Sequence, residues 1–208
     1  MRSSGWSGWS TRGGAGTGDH MSVLTFANQL TLLRLFLVPA FVILILYGRL
    51  GWALVVFVAA GITDGLDGLI ARWTNQRTEL GAFLDPMADK LLLVSAFVVL
   101  SLPGIGLTSR IPVWLTVLII SRDVGIVVTV AIVSLALGPR TFRPTIYGKV
   151  ATATYIVTSA VVLFFNYLGR QSLLVDVGVW ASLAITLISG VHYTLHVRRA
   201  INEPPASP

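Results

Sequence analysis

Four aspartates lie close together in a chain whose sequence is otherwise strongly apolar. They are Asp64, Asp67, Asp85 and Asp89, and they account for four of the nine acidic residues. Carboxylates that share a site of low dielectric repel one another unless they are protonated or neutralised by cations. Carboxylate oxygens are ligands that Mg²⁺ and Mn²⁺ prefer. The cluster therefore predicts a site that binds divalent cations.

The spacing places these carboxylates on one face of each of two consecutive helices. On the first helix, an arc of roughly 100° holds two aspartates and two small residues. They are Asp64, Asp67, Gly68 and Ala71. On the second helix, an arc of about 80° holds Gly81, Asp85 and Asp89. The small residues leave room for a bulky ligand beside the carboxylates.

Two other interpretations of the cluster need weighing. The carboxylates could pair with Arg72, Arg77 and Lys90 in a water-filled vestibule. Lys90 projects about 100° away from Asp89, however, so three bases do not serve both arcs well. A proton or cation relay, as in a transporter, is the stronger alternative, but neither discontinuous helices nor internal repeats are evident.

Composition places the chain among membrane proteins. Of its 208 residues, 54% are hydrophobic and 12% are charged, whereas a soluble domain carries about 25% charged residues. The absence of Cys excludes disulfides and thiolate ligands. The net charge is +6, but no basic stripe lies on a polar domain, so nucleic-acid binding is not expected.

Six apolar stretches are each long enough to cross about 30 Å of hydrocarbon as a helix. They are residues 28–47, 51–72, 81–102, 111–137, 148–168 and 176–197. We therefore predict an all-α membrane protein, a bundle of six transmembrane helices in a domain spanning residues 24–198. The Gly/Ser-rich residues 1–23 are expected to form a disordered leader, and residues 199–208 a disordered tail.

Basic residues orient this bundle. With six crossings, nine Lys and Arg residues flank the side that holds both termini, and three flank the other side. The three are Arg49, Arg110 and Arg170. The positive-inside rule then predicts cytoplasmic termini and places the four aspartates in the cytoplasmic half.

The eight positions of Asp64-x2-Asp67-Gly68-x2-Ala71-Arg72-x8-Gly81-x3-Asp85-x3-Asp89 resemble the signature of the CDP-alcohol phosphatidyltransferase family. The resemblance extends over roughly residues 24–198. It implies a homodimeric membrane enzyme that transfers a phosphatidyl group from CDP-diacylglycerol to an alcohol and releases CMP.

The resemblance also implies roles for individual residues. Two Mg²⁺ or Mn²⁺ ions would be held by Asp64, Asp67 and Asp85. Asp89 would contact the metal site and act as the general base toward the acceptor hydroxyl. The donor pocket would be shaped by Gly68, Ala71, Arg72 and Gly81.

Polar residues near the start of the first stretch resemble the family's first helix. Asn28, Thr31 and Arg34 recur at i, i+3 and i+6 in "NQLTLLRLFLVP", so they form one polar strip. We expect the strip to contact the nucleotide end of the donor. Helix capping by Asn28 or Thr31 and snorkelling by Arg34 is the alternative.

Further polar residues point to an acceptor pocket. Arg122 and Asp123 lie in the middle of the fourth stretch, where unpaired charge is costly. Arg143 and Lys149 lie at the start of the fifth. Arg122, Arg143 and Lys149 are expected to bind an anionic glycerol-type acceptor. An Arg122–Asp123 structural pair with a snorkelling Lys149 is the alternative.

The resemblance also narrows the choice of acceptor alcohol. Phosphatidylglycerophosphate synthases are similar at Arg122 and Lys149, but typically carry Glu at the position of Asp123 and further cations near Val130 and at Ala151. The segments "SRDV", "RPT", "KV" and "TA" are more similar to eukaryotic-type cardiolipin synthases. This favours phosphatidylglycerol as acceptor over glycerol 3-phosphate, with inositol or other alcohols as lesser alternatives.

Overall fold

Six α-helices make up the part of the chain that the computed structural model describes, residues 26–74, 79–137 and 146–202. Side chains are described at 33–63, 90–133, 135 and 146–195. The helices are α1 (Phe26–Leu46), α2 (Leu50–Thr74), α3 (Glu79–Ser101), α4 (Val113–Leu137), α5 (Ile146–Tyr167) and α6 (Leu173–Asn202). The all-α prediction is confirmed for these ranges, and the expected leader at 1–23 lies outside them.

The sixth helix differs most from its apolar stretch. It begins at Leu173 and ends at Asn202, so residues 199–202, which the sequence predicts to belong to the disordered tail, are helical. Hydropathy marks only the apolar part of a helix. The polar turn that follows includes Arg198, Arg199 and Ala200, all good helix formers.

Two helices end in the same hydrogen-bonded cap. At the end of α1, Gly48 N–H donates to Ile45 O (2.9 Å) and Arg49 N–H donates to Leu44 O (2.8 Å). The end of α5 repeats this pattern around Gly169. Both glycines have a positive φ, 71° and 64°, which a residue without Cβ adopts at little cost. The caps therefore stop α1 and α5 at defined residues.

Three helical segments among the described residues are long and apolar enough to cross a membrane. They are Val113–Val133, Ile146–Tyr167 and Leu173–Leu195. The described parts of α1, α2 and α3 contribute shorter apolar segments, Leu33–Leu46, Leu50–Thr63 and Lys90–Ser101. A crossing by all six helices and cytoplasmic termini stay predictions.

The principal helix contacts form a closed ring. Neighbours around it are α1, α2, α5, α6, α4 and α3, and α3 returns to α1. A further contact between α3 and α5 crosses the ring. In this contact, Phe97 of α3 and Tyr155 of α5 meet edge to face, with ring centroids 5.6 Å apart. This cross-contact brings the middle of the chain against its second half.

Small and polar residues join α5 to α6. Tyr155 Oη and Thr186 Oγ1 lie 2.6 Å apart, and Thr158 Oγ1 and Ser182 Oγ lie 3.0 Å apart. Thr158 Oγ1 also donates to the carbonyl of Gly178 (3.2 Å). Small residues let helix backbones approach closely in lipid, where hydrogen bonds between helices add stability.

Asn166 attaches the α3–α4 connection to the end of α5. Its Oδ1 accepts from Ser109 N–H (3.0 Å), and its Nδ2 donates to Ser109 O (2.8 Å). Asn166 is buried, so these bonds replace the water that its amide loses on folding. The loop is thereby held against the helix bundle.

Candidate active site

The four predicted metal ligands lie on two continuous helices. Asp64 and Asp67 belong to α2, and Asp85 and Asp89 belong to α3. Their helical periodicity, which the sequence argument requires, is therefore present, but their side chains are outside the described set. Within that set, no group of three or more His, Asp and Glu side chains could hold a metal ion. The cation site stays a prediction.

Several other predicted site residues also fall outside the described side chains. Those on helices are Asn28, Thr31, Gly68, Ala71, Arg72 and Gly81. Arg143 lies in residues 138–145, which the structure does not describe. The structure therefore informs the site mainly through Arg34, Arg122 and Lys149.

Arg34 of α1 is buried inside the bundle, with 1% of its surface exposed. A guanidinium that snorkels keeps its charged end in water, so the snorkelling interpretation does not match this side chain. Arg34 lines a cavity of about 50 Å³ between α1, α2, α3 and α5. A cation placed there faces the bundle interior, as contact with a phosphate-bearing donor requires.

Arg122 and Lys90 both bind Asp123. Lys90 Nζ of α3 donates to Asp123 Oδ2 (2.5 Å), and Arg122 Nη1 donates to Asp123 Oδ1 (2.6 Å). Arg122 Nη2 also donates to Ser189 Oγ of α6. These four residues, which we call the ion cluster, connect α3, α4 and α6. The pairing of Arg122 with Asp123, one of the two interpretations of the sequence, is thus present.

The ion cluster borders a second cavity, of about 40 Å³. Lys90, Asp123 and Tyr155 form part of its lining, beside apolar residues of α3 and α4. Both cavities are lined by Leu93 and Thr152. Arg34 and the ion cluster therefore lie on adjoining cavities within the helix ring.

Lys149 is exposed in the first turn of α5. Its exposure agrees with either a snorkelling lysine or a ligand-binding one. A larger open groove, of about 480 Å³, lies where the α3–α4 and α5–α6 connections meet. It is lined by Arg110, Ser172, Asp176 and neighbouring residues, none of which belongs to the predicted site.

Sequence reasoning offered the Arg122–Asp123 pair as an alternative but missed Lys90 as the second partner of Asp123 and Ser189 as a partner of Arg122. The sequence offers Lys90 only as a partner for the four aspartates, and Ser189 carries no signal, because serine is common in transmembrane helices. Asp123 did carry a signal, since a carboxylate in the middle of a span requires a partner. Its second partner could not be read from spacing because Lys90 lies 33 residues away.

Comparison with known proteins agrees with the signature on α2 and α3. The model of the CDP-alcohol phosphatidyltransferase family matches residues 24–188. The chain belongs to this family.

Curated relatives carry two different names. A "probable phosphatidylglycerophosphate synthase" of Mycobacterium tuberculosis is 37% identical over 188 residues, 86% of this chain and 84% of the relative. A "cardiolipin synthase (CMP-forming)" of Streptomyces coelicolor is 35% identical over 197 residues, 89% and 88% of the two chains. The human protein of that name is 36% identical over 194 residues, 84% of this chain and 62% of its own.

The family match and the long apolar helices together define the class of protein. It is an integral membrane enzyme that uses a CDP-alcohol and an alcohol acceptor. Membership of a transferase family favours the enzyme over the transporter interpretation of the aspartates. Relatives with either name are 35–37% identical, so identity alone does not separate the two acceptors.

Proposed function

We propose that the protein is a cardiolipin synthase, which transfers the phosphatidyl group of CDP-diacylglycerol to phosphatidylglycerol and releases CMP. The alternative is glycerol 3-phosphate as acceptor, which the relative from Mycobacterium tuberculosis supports by its name.

The observation that carries this choice is the small number of cations near the predicted acceptor site. Where phosphatidylglycerophosphate synthases typically carry a second Lys, this chain has Ala151, which is uncharged and fully buried in the hydrophobic core. Val130 is partly buried in α4, near the place of their second Arg. Phosphatidylglycerol carries a phosphodiester with one negative charge, which requires fewer cations than a phosphomonoester.

The donor end of the site is assigned to α1, α2 and α3. Arg34, buried within the bundle, supports a role in binding the charged end of the donor. Asn28 and Thr31 share its helix, and Gly68, Ala71, Arg72 and Gly81 would shape the pocket for the cytidine diphosphate. Acyl chains of the donor would remain in lipid beside the helices.

The four aspartates suit a pair of Mg²⁺ or Mn²⁺ ions, because all their donors are hard carboxylate oxygens. Asp64, Asp67 and Asp85 would hold the metals, with Asp89 beside them. Bound metals would neutralise charge on the diphosphate and on the departing CMP. Asp89 would accept the proton of the acceptor hydroxyl as that oxygen attacks phosphorus.

The proposed placement has all six helices crossing the membrane, both termini in the cytoplasm and the site near the cytoplasmic face. The nine-to-three distribution of flanking basic residues supports this orientation. A homodimer is the proposed assembly, on the family resemblance.

The test is to offer each acceptor separately to the purified protein with CDP-diacylglycerol. We expect CMP release with phosphatidylglycerol, cardiolipin as the lipid product and little turnover with glycerol 3-phosphate. Chelation should stop the reaction, and Mg²⁺ or Mn²⁺ should restore it. Reactions without acceptor serve as controls. Efficient turnover of glycerol 3-phosphate but not phosphatidylglycerol would reject cardiolipin synthesis, and turnover unaffected by chelation would reject the metal site.

A further inference from the structure

The ion cluster contains two cations and one anion. Both oxygens of Asp123 are engaged, one by Lys90 and the other by Arg122. The side chains of Arg122 and Asp123 are 12% and 20% exposed, and that of Lys90 is 53% exposed. Charges in such a partly buried site interact more strongly than they do in water. The cluster as a whole carries one net positive charge.

Phosphatidylglycerophosphate synthases typically carry Glu at the position of Asp123 but offset it with further cations near Val130 and at Ala151, which this chain lacks. We propose that Asp123 is the internal counter-ion of the acceptor site and, in the absence of those cations, sets its specificity by limiting the net charge of the cluster to one. A phosphodiester acceptor matches that charge. A phosphomonoester such as glycerol 3-phosphate brings about 1.5 to 2 negative charges at pH 7, and the excess is repelled by the carboxylate. This inference rests on the proposed acceptor role of Arg122.

The hydrogen bonds of Arg122 leave one of its three nitrogens without a partner among the described residues. Its two terminal nitrogens bind Asp123 and Ser189, while its Nε is buried without a hydrogen-bond partner among the described residues. A buried donor without a partner is costly and requires an explanation. Arg122 does not line the adjoining cavity, so an acceptor phosphate would reach this nitrogen only after side chains of the ion cluster move.

The Asp123 carboxylate and an acceptor phosphate would compete for Lys90 and Arg122, and little space is available beside Lys90. The adjoining cavity of about 40 Å³ beside Lys90 and Asp123 holds a few water molecules and is too small for a lipid headgroup. Because Lys90 and Arg122 both bind Asp123, an acceptor phosphate that bound the same two cations would share them with the Asp123 carboxylate. The two anions compete for the same two cations.

The experiment compares the ratio of kcat/KM for glycerol 3-phosphate to that for phosphatidylglycerol in a series of charge variants. Asp123→Asn keeps the shape and raises the cluster charge to two, so the ratio should rise at least tenfold. Lys90→Gln lowers the charge to zero, so the ratio should fall. The double variant Lys90→Gln/Asp123→Asn restores a charge of one, so its ratio should return to within threefold of wild type.

A purely structural role for Asp123 predicts a different pattern. Loss of the ion pair would then reduce turnover of both acceptors equally, and the double variant would be no better than the single ones. Either result, in protein that remains monodisperse and folded in detergent, overturns the proposal. If Asp123→Asn does not fold, the ratio in Lys90→Gln decides: a threefold fall supports the proposal and an unchanged ratio overturns it.

This test separates the charge proposal from the proposed function. If wild type prefers glycerol 3-phosphate, cardiolipin synthesis is rejected, yet the direction of the shifts among variants still supports or overturns the role of Asp123. If wild type prefers phosphatidylglycerol and the ratio does not follow the charge of the cluster, only the role of Asp123 is rejected.

Discussion

At the scale of residues, some site residues of this protein can be recognised from local spacing. Others depend on partners that are distant in sequence. The carboxylates at 64, 67, 85 and 89 form a recognisable pattern because helical periodicity determines which side chains share a face. For Asp123 the sequence indicated the need for a partner and offered the adjacent Arg122 as one candidate. Its pairing with both Lys90 and Arg122 emerged from the structure.

Replacing Asp89 by Asn should reduce turnover by about 10²–10⁴-fold, the contribution typical of a general base. Binding of CDP-diacylglycerol should survive, because the amide keeps the size of the carboxylate. CMP release and donor binding are measured in parallel. Asp176→Asn is a matched control, since Asp176 is exposed in the first turn of α6 and lines the separate groove. A rate close to wild type in Asp89→Asn would remove Asp89 as the base.

Replacing Arg122 by Ala should raise KM for the acceptor by about 10–100-fold, as expected for loss of a hydrogen bond to a charged group. KM for the donor should change little. Lys90 still neutralises Asp123 in this variant, which favours folding. Arg110→Ala, an exposed arginine of the α3–α4 connection, is the control. An unchanged dependence on acceptor concentration would give Arg122 a structural role instead.

At the scale of elements, the contact between α5 and α6 combines small residues with hydrogen bonds. A Cβ added to Gly178 would lie 3.1 Å from both Cγ2 and Oγ1 of Thr158, closer than ordinary van der Waals contact. Thr158 is also hydrogen bonded to Ser182 and to the carbonyl of Gly178. Movement of Thr158 would therefore weaken the polar connection between the helices.

The matched substitutions Gly178→Ala and Gly190→Ala test this contact. Both lie in α6 and gain the same helix propensity, but a Cβ at Gly190 meets open space. We expect Gly178→Ala to be the less stable by about 1–3 kcal/mol, the usual cost of overpacking. Thermal or denaturant unfolding in detergent measures the difference. Equal stabilities would show that α6 shifts to accommodate the methyl group.

At the scale of the whole molecule, the ring of helices places Arg34 of α1 and the ion cluster of α3, α4 and α6 on adjoining cavities. The contact between α3 and α5 separates the two, through Leu93 and Thr152. This arrangement agrees with donor and acceptor ends that meet inside one bundle.

The proposed topology can be tested with single cysteines, because the chain has none. Ser207→Cys near the C-terminus should react with a membrane-impermeant maleimide from the cytoplasmic side. Thr108→Cys, an exposed position in the α3–α4 connection, should react from the opposite side. Right-side-out and inverted vesicles separate the two cases, with the cysteine-free protein as control. Labelling of both variants from one side would contradict the six-crossing arrangement.

Much of the fold was predictable from the sequence because its signals are local. Long apolar stretches indicated six helices, and most ends agree with the structure to within three residues. The end of α6 was not predictable by hydropathy because its last turns are polar. The signature spanning residues 64–89 likewise indicated the family, which the match over residues 24–188 confirms.

The sequence by itself determined the family and the six helices of the described ranges, and it predicts the carboxylate faces, since each depends on residues a few helical turns apart. Tertiary structure decided which helices are neighbours, that Asn166 binds the Ser109 backbone and that Asp123 joins two cations. The Asn166–Ser109 and Asp123–Lys90 contacts connect residues 57 and 33 positions apart. Periodicity contains no information about such pairs, because they depend on how each helix rotates and packs against the others.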